Sequence, residues 1–89
     1  MEQRFIQDKE ELRLLILSTI FSKKEPFTLA EIVENVIDNK AFNRNLCSTV
    51  ELIEKVTEAL DISVELGVVK VESRATENNS EKFIVSNIT

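Results

Sequence analysis

The spacing of apolar residues changes once along this chain, and the change falls at its only glycine. Before Gly67, apolar residues recur at intervals of three and four; after it they alternate. A helical period does not run on into an alternating one, so the sequence predicts helices first and strands second. The one proline, Pro26, divides the helical part. So few breakers imply long elements and few tight turns.

Asp8 to Phe21 reads as the first helix, with Asp8 as N-cap and Glu10 and Glu11 in the first turn. Leu12, Leu15, Ile16, Thr19 and Ile20 follow helical spacing. Leu14, Leu17 and Phe21 widen the apolar face, which predicts a central helix. Thr28 to Asp38 reads as the second. Thr28 and Glu31 form a capping-box pair, and Phe27 is placed to staple onto Ile32. Leu29, Ile32, Val33, Val36 and Ile37 make its stripe.

Asn39 to Asn45 is polar around Ala41 and Phe42 and reads as a loop or one irregular turn. Phe42, an aromatic in a polar loop, is a candidate contact residue. Leu46 to Leu66 reads as the third and longest helix, with Gly67 as its C-terminal cap. At ~100° per residue, Leu46, Val50, Ile53, Leu60 and Val64 share one side, extended by Leu52, Val56 and Ala59. The opposite side carries Glu51, Glu54, Glu58, Asp61 and Glu65, relieved mainly by Lys55.

Val68 to Ser73 and Lys82 to Ser86 read as strands of a hairpin whose polar tip spans Arg74 to Glu81. The fold class is therefore mainly α with a small β-hairpin (α+β), in a single domain with its core at about residues 8–86. Residues 1–7, with Phe5 and Ile6, and residues 87–89 are expected to be flexible arms.

The 89 residues are 43% hydrophobic and 30% charged, a globular balance. No histidine is present, so His-based acid–base chemistry and His metal sites are absent. A single glycine cannot form a Gly-rich phosphate loop. We therefore expect no enzyme, cofactor or metal. The lone Cys47 excludes an intramolecular disulfide. No signal-peptide pattern is visible, and the longest apolar stretch, Leu14 to Leu17, is far short of a membrane span. A cytoplasmic location and no membrane partner are expected.

Two runs carry a family resemblance. "LRLLILSTIFSKKEPFTLAEIVENV" resembles the opening of many bacterial winged-helix regulators, in which a Thr or Ser caps a helix reading "AEI". "ALDISVELGVVKVES" resembles their junction between the third helix and the first wing strand. The resemblance spans roughly Leu12 to Val85; its motifs are generic to the winged helix-turn-helix superfamily and select no one family. It implies a three-helix winged-helix domain whose third helix enters the major groove of double-stranded DNA while the hairpin tip touches the flanking backbone. Carried over by position, the third helix presents Asn45, Ser48, Thr49 and Lys55, the preceding loop Lys40, Asn43 and Arg44, and the wing Lys70, Arg74 and Lys82. Such a regulator is expected to work as a homodimer.

The net charge of −5, from 11 basic and 16 acidic residues, runs against that reading. The acids of the third helix give the alternative: a protein-interaction module whose Glu51, Glu54, Glu58, Asp61 and Glu65 hold a basic partner. Each feature also has a plain reading. The basic set fits scattered surface charge, and the acids fit a solvated helix face. The five phenylalanines fit core packing better than base stacking. Cys47, near a helix start, is either a redox-sensing thiol or a small buried apolar residue.

Overall fold

A computed structural model describes residues 8–86; the arms expected at 1–7 and 87–89 lie outside the described residues. The elements are α1 (Lys9–Phe21), β1 (Phe27–Thr28), α2 (Leu29–Asp38), α3 (Thr49–Glu65), β2 (Val69–Ser73) and β3 (Lys82–Val85). This is the α+β class expected: three helices and a small antiparallel sheet.

Each helix starts on a short polar side chain that accepts from the backbone N–H of a glutamate three residues on. Asp8 accepts from Glu11 (2.8 Å), Thr28 from Glu31 (3.2 Å) and Ser48 from Glu51 (3.1 Å). The cap satisfies a donor that the first helical turn leaves without a partner. For α1 and α2 these caps match the expected starts. For α3 the start moves from Leu46 to Thr49, because the chain ahead of it is committed elsewhere. Two turns, closed by Phe42 N–H to Asn39 O (3.0 Å) and Leu46 N–H to Asn43 O (3.0 Å), carry Leu46 and Cys47 outside the helix. The side chains of Asn39 and Asn43 reinforce them by accepting from Ala41 N–H (2.8 Å) and Asn45 N–H (3.0 Å).

The core is one cluster to which every helix contributes. Leu12, Ile16 and Ile20 come from α1, Ile32, Val33 and Val36 from α2, and Leu52, Val56 and Leu60 from α3. Phe42 joins them at 9% exposure, so this loop aromatic is a packing residue rather than a contact residue. Two expected apolar faces are corrected. On α3 the buried set is Leu52, Val56, Leu60 and Ser63, while Val50 and Ile53 are exposed. Ser63 escapes an apolar-only pattern because its hydroxyl is satisfied by Ala59 O at 2.7 Å, which lets it enter the core. On α1, Leu14 and Phe21 face solvent, so the helix covers one side of the core and is not enclosed.

The helix-to-strand junction is a Schellman motif. Gly67 N–H bonds to Val64 O (3.0 Å) and Val68 N–H to Ser63 O (3.0 Å), with Gly67 at φ 80°. Beyond it, β2 and β3 pair antiparallel, with Val69 opposite Val85 and Val71 opposite Phe83, and with an irregularity between Val71 and Ser73. The sheet order is β1-β3-β2. Strand β1 was not expected, since two residues carry no period. Its Phe27 pairs with Phe83, and the two rings lie 6.0 Å apart. At the hairpin tip, Thr76 N–H bonds to Asn79 O (2.8 Å).

Candidate functional site

The connection between α2 and α3 gathers the most concentrated set of candidate residues. From Asn39 to Val50 there is no acid, while Lys40 and Arg44 supply two cations. Ser48 caps the start of α3 at the end of this segment, and a helix start carries partial positive charge. Arg44, Ser48 and Thr49 line one cleft of about 190 Å³, whose other walls include Phe42, Cys47 and Leu52. Lys40, Arg44, Asn45, Ser48 and Thr49 are exposed and Asn43 is half-buried.

Not all of these side chains are equally available. The oxygens of Ser48 and Asn43 are taken up by Glu51 N–H and Asn45 N–H, so both hold the local backbone. Ser48 keeps its hydroxyl proton as a donor. Asn45 belongs to the turn rather than to the first turn of the helix. Arg44, Lys40 and Thr49 are left as the residues best placed to meet a partner here.

The structure separates Lys55 from this group. It lines a second, largely apolar groove of about 240 Å³ between α1 and α3, with Arg13, Ile16, Leu17, Glu58, Ala59 and Ile62. In its place the start of α3 offers Val50, 66% exposed, and Ile53, 40% exposed. Sequence reasoning missed both because they match a helical stripe. The signal that could have found them is Ser48 followed three residues later by Glu51, which sets the helix start and shifts its inner face.

In the hairpin, Lys70, Arg74 and Lys82 are all exposed. Glu72, Glu77 and Glu81 lie in the same segment, so its charges balance. Along α3, Glu54, Glu58, Asp61 and Glu65 are exposed, and among the described residues none of the four lies in an ion pair. Glu51 differs: it pairs with Lys9 and ties the start of α3 to the start of α1.

Cys47 is 8% exposed. Burial pushes its thiol above the ordinary value, and the Glu51 carboxylate pushes it further the same way. A sensor thiol needs the opposite shift, so the packing reading of Cys47 holds. Among the described residues no three potential ligands cluster to hold a metal, and no helix is long and apolar enough to cross a membrane. No family model matches the chain, and neither the curated proteins nor the solved structures contain a match to it.

Proposed function

We propose that this chain is a winged-helix regulator that binds double-stranded DNA as a homodimer and acts by occupying its site, without catalysis. One observation carries the reading: an acid-free segment folds around the capped start of α3 and gathers Arg44, Ser48 and Thr49 on one cleft. Helix α3 then enters the groove by its N-terminal end. Laid lengthwise, it would press Glu54, Glu58, Asp61 and Glu65 toward phosphates, which repel them. Arg44 and Thr49 suit base edges, and the exposed methyls of Val50 suit the thymine methyl group. Lys40 reaches phosphate beside them, while Lys70, Arg74 and Lys82 contact the flanking backbone.

The test is a fluorescence anisotropy titration with duplexes selected from a random pool. Wild type should bind at low salt, and Arg44→Ala should weaken binding by about tenfold, the scale of one good base contact. Absence of duplex binding by the wild type at low salt sinks the proposal.

A second reading is favoured by the four exposed acids of α3 that, among the described residues, lie in no ion pair: a basic protein docks along that face. Loss of partner binding in Glu54→Lys/Asp61→Lys, with Arg44→Ala unaffected, supports this reading over DNA.

A further inference from the structure

We infer that the exposed flank of α1 and α3 is the face on which a second copy of this chain docks, through Leu17, Phe21, Ile62 and Leu66 and their two-fold equivalents. The inference rests on the dimeric half of the proposal above and not on duplex binding.

Of the large exposed apolar side chains among the described residues, Val50 and Ile53 lie at the start of α3, and the other four lie on α1 and the end of α3. Leu14, Phe21, Ile62 and Leu66 are 66%, 46%, 49% and 73% exposed. Leu14, Leu17 and Phe21 follow spacings of three and four, which aligns them on one side of α1. Ile62 and Leu66, four apart, align on α3 in the same way. Leu17 and Ile62 line one groove, so the two stripes lie side by side. Exposed apolar side chains grouped in this way mark an interface.

The helix pairing gives the groove a direction. Lys9 at the start of α1 pairs with Glu51 at the start of α3, and Arg13 shares the groove with Lys55 one turn on. Both helices therefore run the same way along it. Arg13 and Lys55 stand at its leading end, and among the described residues neither lies in an ion pair. Glu58 lines the groove within a turn of Lys55, and Glu65, three residues after Ile62, stands at the trailing end on the same side of α3. A copy turned about a two-fold axis across the groove brings its Arg13 and Lys55 toward Glu65 at the trailing end of the first, and the exchange is reciprocal. An anionic membrane surface would match only the cations, and a basic partner only the acids. A second copy satisfies both sets at once.

Sedimentation of the full chain at up to about 100 μM is expected to give a dimer, since self-association depends on protomer concentration. Ile62→Glu should give a monomer with an unchanged circular dichroism spectrum. Arg13→Glu/Lys55→Glu and Glu58→Lys/Glu65→Lys should each weaken the dimer, and mixing the two variants should restore a mixed dimer. A wild-type dimer indifferent to Ile62→Glu overturns this face while leaving dimerisation standing. A wild-type monomer overturns both. Failure of duplex binding is read separately, in the anisotropy titration.

Discussion

Cys47 shows how position decides a side chain's chemistry. It precedes a helix start, which favours a thiolate, yet burial and the neighbouring Glu51 act the other way and raise the thiol's pKa. The folded state thus holds its proton more tightly than the unfolded chain does. The stability this contributes is fully present below the ordinary thiol value and is lost as pH rises through the raised one. Thermal melts should therefore fall more steeply on the alkaline side in wild type than in Cys47→Ala. At neutral pH, the native thiol should react with a disulfide reagent about tenfold or more slowly than the denatured chain. Equal rates in the two states would contradict the burial argument. The sequence leaves both roles of Cys47 open, because neither its burial nor its nearness to Glu51 is written in its neighbours.

Element α3 separates what spacing reveals from what packing decides. The starts of α1 and α2 are legible because Asp8 and Thr28 are followed by Glu11 and Glu31 at the capping distance. Ser48 and Glu51 repeat that signature, but Leu46 and Val50 continue an apolar stripe across it and obscure the start. The end of α3 is legible in Gly67 alone. Chemical denaturation checks both ends. Leu52→Ala, at a fully buried site, should cost about 2–5 kcal/mol, whereas Val50→Ala should stay within about 0.5 kcal/mol. The reverse order would restore the face that spacing suggests. A Cβ at Gly67 meets nothing within 4 Å, so Gly67→Ala should cost only the left-handed backbone strain, about 1–2 kcal/mol.

Across the whole molecule, the charge pattern is readable in the sequence but its geometry is not. The acids of α3 can be counted from spacing; that Lys55 sits in the groove beside α1 with Glu58, and that Glu51 pairs with Lys9, depends on how the helices pack. If α3 meets a duplex by its N-terminal end, Glu54 is the first acid of the exposed face beyond Glu51. Glu54→Lys should then raise duplex affinity severalfold at low salt, with the gain shrinking as salt screens it. Weaker binding in that variant would place Glu54 in a specific contact instead.

Strand β1 had no signature at all, yet its two residues join distant parts of the chain. Phe27 follows the first helix, and its strand partner Phe83 lies beyond all three helices and β2. During synthesis, then, the three helices can emerge and gather before the sheet exists. Phe27 must wait, with one flank uncovered, until Phe83 has left the ribosome. Completion of this domain thus waits on β3, and a nascent chain arrested before β3 should be markedly more sensitive to protease than one in which β3 has emerged.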